Sequence, residues 1–238
     1  MNKKGQITIF VVIAIILIAA VGIYYTFKND FNLGGGKEYS EIYSFVEECI
    51  QDVGESATYD VSKKGGYFIL PSLSTEEKIP YYYYGGQSHM PSKEKIENEI
   101  SEYMNEMLFF CTQNFVNFNE FNISQGKINV ETYIGEEEII FDVEYPITIQ
   151  TKESTTMLKD FENIKIFFRL GSIYDVASEI IKKQEGNNDT CLSCSLNLAI
   201  ENDLYVDISL YNNDTVLFII KDQDYFPPLE FKFVNKYN

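Results

Sequence analysis

Residues 7–27 form an uninterrupted apolar run with no charged side chain and no proline, and such a run leaves a chain few ways to fold. As a helix rising about 1.5 Å per residue it reaches roughly 31 Å, enough to span a hydrocarbon core. A cleaved secretory signal carries an apolar stretch of only about 7–15 residues followed by a small-x-small site. Here Ala19-Ala20-Val21-Gly22 is a poor version of such a site. The expectation is one transmembrane helix. Lys3 and Lys4 precede it, while Lys28, Asn29 and Asp30 lead into an acidic chain, so the positive-inside bias puts the N-terminus in the cytoplasm and the rest outside. Tyr24, Tyr25 and Phe27 suit the headgroup layer at the outer end.

Two of the 19 basic residues precede the span and all 36 acidic ones follow it, so the rest of the chain carries a net charge of about −19. A surface of that sign repels phosphate and excludes nucleic acid as a natural partner. About 210 residues beyond the span are enough for a domain with its own core. The chain has 18 Tyr, 18 Phe and no Trp, and much of this aromatic content alternates with polar residues, a strand signal.

Residues 28–37, with Gly34-Gly35-Gly36, read as a flexible linker, and residues 38–238 as one extracytoplasmic domain with a candidate subdivision near 151–160. Over 38–53, apolar residues at Tyr39, Ile42, Val46, Cys49, Ile50 and Val53 predict an amphipathic helix. Residues 67–70 predict a short strand ended by Pro71, and 79–84 another closed by Gly85-Gly86. Tyr81, Tyr82, Tyr83 and Tyr84 are a candidate aromatic patch for a sugar or ring ligand, but in a strand only alternate rings share a face, so two should enter the core. Pro91-Ser92 opens a second predicted helix with a stripe of Ile96, Ile100, Tyr103, Met107, Cys111 and Phe115.

Strict alternation over 128–134 and 139–149 around Gly135-Glu136 predicts a long hairpin whose apolar face needs a cover, which the two helices can supply. Residues 161–170 read as extended, and Gly171-Ser172 begins a helix with Ile173, Val176, Ala177, Ile180 and Ile181 on one stripe. Residues 204–210, 215–220 and 229–234 read as strands, with Asn212-Asn213-Asp214 turning between the first two.

Four cysteines on an outward-facing domain read as two disulfides. Cys49 and Cys111 each fall on a predicted apolar stripe, positioned to staple the two helices; the competing reading is two buried thiols. Cys191 and Cys194 form a Cys-x-x-Cys at a helix start, which reads as a local disulfide, as half a zinc site, or as a redox dithiol. His89 is the only histidine and lies in a loop, and no Gly-x-Ser-x-Gly is present, so a hydrolase triad has little support. Glu136-Glu137-Glu138 and Asp222-Gln223-Asp224 lack the spacing of a calcium loop. No cofactor is expected. Asn122, Asn188 and Asn213 head glycosylation triplets, usable only outside the cell.

Lys3-Lys4-Gly5-Gln6 before the apolar run resembles the class III signal peptides of archaeal type IV pilin-like proteins, a resemblance that implies cleavage between Gly5 and Gln6 with the helix retained. The acidic residue those proteins usually carry at the fifth position after the cut is Phe10 here, which makes a filament subunit the alternative rather than the first reading. Further along, Val46-Glu47-Glu48-Cys49-Ile50, Gly65-Gly66-Tyr67 with Pro71, Ile79-Pro80-Tyr81-Tyr82-Tyr83, Arg169-Leu170-Gly171, Cys191-Leu192-Ser193-Cys194 and Phe231-Lys232-Phe233-Val234-Asn235-Lys236-Tyr237 resemble a family of uncharacterised single-span proteins of small-genome archaea. No activity comes with that resemblance.

The sequence thus predicts an α+β fold, antiparallel strands covered by amphipathic helices, on one N-terminal transmembrane helix. The expected role is a structural or interaction protein of the archaeal cell surface, without catalytic activity, whose partners are the membrane and other envelope proteins, with self-assembly as a further option. A pilin-like subunit, or an anchored redox or metal-dependent enzyme using Cys191 and Cys194, is the alternative.

Overall fold

The computed structural model describes residues 37–185 and 190–237. The expected span at 7–27, the linker expected at 28–37 except for Lys37, which is helical, the Gly5-Gln6 site and Asn188 lie outside the described residues, and among those described no helix is long and apolar enough to cross a membrane. The chain divides into two units, residues 1–43 and 44–238. The described part of the first is the opening of helix α1, Lys37–Lys63; both sheets and the remaining helices belong to the second.

The second unit is α+β, with one correction to the expected pairing: its larger sheet is mixed. That sheet comprises β1 (Tyr81–Tyr84), β2 (Gln87–Ser88), β7 (Tyr205–Asn212), β8 (Thr215–Asp222) and β9 (Leu229–Lys236) in the order β2-β1-β9-β8-β7. The neighbours are antiparallel except β1 and β9, which run parallel. Its centre is a ladder of rings, Tyr82 stacked on Phe233 at 4.5 Å and Phe233 on Phe218 at 5.1 Å. The buried Tyr82 hydroxyl donates to the Gly65 carbonyl at 2.8 Å.

The second sheet is built on β5 (Ile139–Gln150), which buries every odd residue from Ile139 to Ile149, as its alternation predicted. β6 (Thr155–Ile166) lines one edge of β5 along most of its length, so residues 151–160 hold a turn and the start of this strand. On the other edge β3 (Asn122–Gln125) pairs with 147–150 and β4 (Asn129–Ile134) with 139–144, end to end. The gap between them faces Pro146, a residue with no N–H to give a ladder, and Gly126 donates to its carbonyl at 2.7 Å.

Helix α1 is longer than expected because its stripe continues through Ala57 and Val61, past Gly54. Glycine usually weakens a helix, but here a Cβ would sit 2.5 Å from the Phe141 ring, so its absence lets α1 lie close on β5. Helix α2 (Lys93–Thr112) starts at the expected cap, Ser92 accepting from the Lys95 N–H at 3.1 Å. Its buried stripe is rotated from the expected one: Ile96, Ile100, Met104, Leu108 and Thr112 face inward, while Met107 is exposed and Cys111 half-buried. The cause is the outer edge of β4. The Val130 N–H donates to Asn105 (3.0 Å), the Ile134 N–H to Glu97 (2.9 Å), and Ser101 donates to Thr132 (2.8 Å). One helix row spaced by four thus completes the edge of a strand.

Residues 67–70 form no strand. The Phe68 and Ile69 N–H groups donate instead to the buried Glu99 carboxylate at 2.7 and 3.0 Å, and Lys95 balances its charge at 2.5 Å. Helix α3 (Leu170–Gln184) buries all five expected stripe residues, and a short helix α4 (Leu192–Glu201) follows. Gly171 packs against the backbone of the β4–β5 turn at Gly135, where no Cβ would fit.

All four cysteines are paired, Cys49 with Cys111 (Cα–Cα 5.7 Å) and Cys191 with Cys194 (5.3 Å). The first closes a loop of 62 residues between α1 and α2. Replacing Cys49 and Cys111 by alanine should lower stability by about 4 kcal/mol in the chain-entropy model, against roughly 2 kcal/mol for the short loop at Cys191 and Cys194. Midpoints of urea unfolding of the two double variants and the parent measure the difference.

Candidate functional site

Arg169 is the only arginine in the chain, and the fold gathers residues of two distant segments, 202–203 and 222–224, around it. It stands at the start of α3, where the backbone leaves the sheet built on β5. Its guanidinium forks onto Asp222 at the end of β8, Nε to Oδ2 and Nη2 to Oδ1, both at 2.7 Å. Nη2 also reaches Asp224 at 3.1 Å and the Asp203 carbonyl at 3.2 Å, and Nη1 the Asn202 carbonyl at 3.4 Å. Asn202 and Asp203 end α4, so the cation also sits where the helix leaves carbonyls unsatisfied and its dipole is negative. A planar five-donor group can fork onto one carboxylate while reaching a second carboxylate and two carbonyls, whereas a lysine has only three donors and no fork.

Asp222 is fully buried, and its hydrogen bond holds the Arg169 guanidinium above its ordinary pKa against the opposing effect of burial. Phe168, next in the chain, packs between Tyr59 of α1 at 5.3 Å and Tyr225 at 4.7 Å. Burial, then the charge of Glu55 at Tyr59 and that of Asp222 at Tyr225, raises both phenols, which keeps them protonated donors. The Tyr59 hydroxyl donates to the Pro227 carbonyl at 2.8 Å.

Beside Arg169 opens a groove of ≈ 660 Å³ walled by Leu196, Ala199, Ile200, Leu204, Tyr205 and Val206, with Asp203 and Asp224 on it as well. Helix α4 is turned inside out: it buries Ser195 and Ala199 and exposes Leu192, Leu196 and Ile200, spaced by four along one face. Tyr205 and Leu210 of β7 are exposed too, and among the described residues β7, at the end of its sheet, pairs with β8 alone. Because the guanidinium is already engaged by two carboxylates, the groove offers apolar walls and an acidic rim rather than a free cation. That chemistry fits an apolar segment flanked by basic residues.

The residues singled out from sequence fall elsewhere. Tyr82 and Tyr83 are buried, Tyr81 half-buried and Tyr84 exposed, so the run does not present one surface patch. Two rings enter the core as expected, but they are neighbours rather than alternates, because the pairing of β1 with β9 shifts register between Tyr81 and Tyr83. Cys191 caps α4, its sulfur accepting the Cys194 N–H at 3.3 Å. His89 is exposed, and its backbone N–H donates to the Tyr82 carbonyl at 2.8 Å. Glu138 pairs with Lys165 at 2.9 Å, and Asp222 and Asp224 serve Arg169. Among the described residues no group of three His, Cys, Asp or Glu is placed to hold a metal ion. Asn122 is exposed on β3 with its amide donating to Gln150 at 2.9 Å. Asn213 is exposed in the β7–β8 turn, but the Thr215 of its triplet is buried and bonded to Asp214.

Sequence reasoning passed over Arg169 and the outer face of α4; the available signals were a lone arginine in an acidic chain and a Leu-Leu-Ile row at spacing four. Asp222→Asn should lower stability by about 3 kcal/mol, because it leaves a mostly buried guanidinium without its forked carboxylate. Arg169→Lys, which keeps the charge and loses the fork, should cost less, and denaturant unfolding of the two variants gives the order. Comparison of the chain with protein-family models, with curated proteins and with solved structures finds no match.

Proposed function

We propose that this chain is a membrane-anchored interaction protein of the cell surface, held by residues 7–27 with its N-terminus in the cytoplasm, and that it works by contact with neighbouring envelope proteins rather than by catalysis. The inverted face of α4 carries the reading. Three large apolar side chains exposed beside an outer strand form a continuous apolar surface, and in an acidic protein such a surface is a liability unless it is covered. Asp203 and Asp224 on the groove select a partner segment with lysine or arginine next to its apolar residues. The archaeal single-span family that the sequence resembles is the setting in which this reading fits.

A second reading, an anchored dithiol redox protein, draws on one observation: the Cys191 sulfur sits at the N-terminus of α4, where a thiolate would be stabilised. Thiols titratable at Cys191 and Cys194 in the unreduced protein would favour it over the contact role.

A photo-crosslinking residue at Ile200 in intact cells should give a discrete adduct with one envelope protein, and Leu196→Glu in the same chain should abolish it. An adduct that survives Leu196→Glu, or none at all in cells that hold the chain in their membrane fraction, counts against the proposal.

A further inference from the structure

Strand β7 is the one long sheet edge among the described residues that carries no guard. The outer edge of β4 is closed by α2, and β3 and β2 are only four and two residues long. β6 has two register shifts against β5 and carries Lys159, Asp160, Glu162 and Lys165. β7, by contrast, is Tyr-Val-Asp-Ile-Ser-Leu-Tyr-Asn, without lysine or proline, and its register against β8 is unbroken from Tyr205 to Leu210. Its single charge, Asp207, is held by Lys221 of β8 at 2.6 Å.

The phase of the ladder fixes which backbone groups point outward. The Tyr237 N–H bonds the Asp214 carbonyl at 2.8 Å, one step beyond the pair Thr215–Lys236. Hydrogen-bonded pairs alternate in an antiparallel ladder, so β8 turns its even-numbered residues to β9 and its odd-numbered ones to β7. Tyr205, Asp207 and Ser209, opposite Lys221, Ile219 and Leu217, therefore bond β8, and the N–H and carbonyl groups of Val206, Ile208 and Leu210 face away from the sheet. None of these outward groups has a partner among the described residues.

Helix α4 supplies a bed for one more strand. The Leu204 N–H donates to the Ala199 carbonyl at 2.9 Å, so the chain reverses between α4 and β7 and the two lie side by side. Leu196, Ala199 and Ile200 share the groove at Arg169 with Tyr205 and Val206, and Leu192 shares a second hollow, of ≈ 420 Å³, with Ile208 and Leu210. The exposed row of α4 thus follows the open edge along its length. Val206 and Ile208 pair with the buried Ile220 and Phe218, so the side chains of an added strand opposite them would carry the core face outward over Leu192, Leu196 and Ile200.

Charge marks one end of that strand. Where α4 reverses into β7, Arg169 is the single cation among the carboxylates of Asp222, Asp224 and Asp203. The β7 of a second copy would bring Asp207 and no cation to this edge.

We propose that the partner segment binds as a sixth strand of the larger sheet, extended along β7 with its backbone bonded to Val206, Ile208 and Leu210. Alternate apolar side chains of the segment lie on the row of α4, and a lysine or arginine at its end meets Asp203 and Asp224. The inference rests on the reading of α4 as a contact surface.

Proline at an outward-facing position removes an N–H from the open edge and leaves the ladder to β8 intact. Full-length chain with the photo-crosslinking residue at Ile200 is expressed in intact cells, alone and with Ile208→Pro or Ile208→Val. The adduct should be kept with Ile208→Val and lost with Ile208→Pro. Mass spectrometry of the adduct should read a segment of alternating apolar residues with a lysine or arginine at one end. Leu210→Pro, at a residue 77% exposed, replaces Ile208→Pro if that chain does not accumulate. An adduct that survives the proline, or a crosslinked segment without that pattern, overturns the added strand and leaves the contact role standing. No adduct from the parent chain overturns both. An adduct of twice the chain's mass, or one within a single chain, assigns the edge to a second copy or to the chain's own residues and overturns the partner strand.

Discussion

Strand β5 sets the terms for everything packed against it. Six of its twelve residues are buried on one face, and both of its edges must find partners over their whole length. No single strand can follow the second edge past Pro146, so β3 and β4 divide it. The division leaves β4 with an outer edge of its own, which α2 closes through Glu97, Ser101 and Asn105. Once α2 is committed to that edge, its apolar stripe must turn toward β5, and α1 fills the remaining face through the contact that Gly54 permits at Phe141. The disulfide between Cys49 and Cys111 secures two helices whose positions the strand has already dictated.

What was legible in the sequence was what depends on local period. The alternation of 128–134 and 139–149, the stripe of α3, the Ser92 cap and the three closing strands all appear as read, because each is encoded within a dozen residues. What was not legible depends on residues far apart. The stripe of α2 is rotated by polar partners on β4, the extended look of 67–70 is overruled by Glu99, and Gly54 reads as a helix end unless Phe141 is known to lie above it. The neighbouring burial of Tyr82 and Tyr83 needs the bulged register against β9, more than a hundred residues away. Arg169 belongs to the same class. Its partners Asp222, Asp224, Asn202 and Asp203 are 33 to 55 positions distant, and two of them looked from sequence like an isolated acidic cluster.

Two exposed apolar surfaces are made in different ways. On α4 the sequence itself is inverted, small residues inward and large ones outward, so the exposure is a property of a helix ten residues long. At the end of α2, where Met107, Phe109, Phe110 and Val116 are exposed, it is a property of the bend, since Phe115 enters the core only because the left-handed residues Gln113, Asn114 and Phe115 turn the chain there. A conservative substitution therefore has different reach at the two places: on α4 it alters one contact surface, whereas at 113–115 it alters the path of the backbone.

The parallel pairing of β1 with β9 joins Tyr81 to Val234. During synthesis from the N-terminus, the sheet built on β5 has all of its strands by residue 166, and the cysteines that tie α1 to α2 are present by residue 111. The larger sheet cannot close at that stage, because its centre is the last strand to be made and β1 has no neighbour but the two-residue β2 until then. Tyr82, a core ring in the finished molecule, cannot stack on Phe233 until some hundred and fifty further residues have been added, so the closing of this sheet waits on β9.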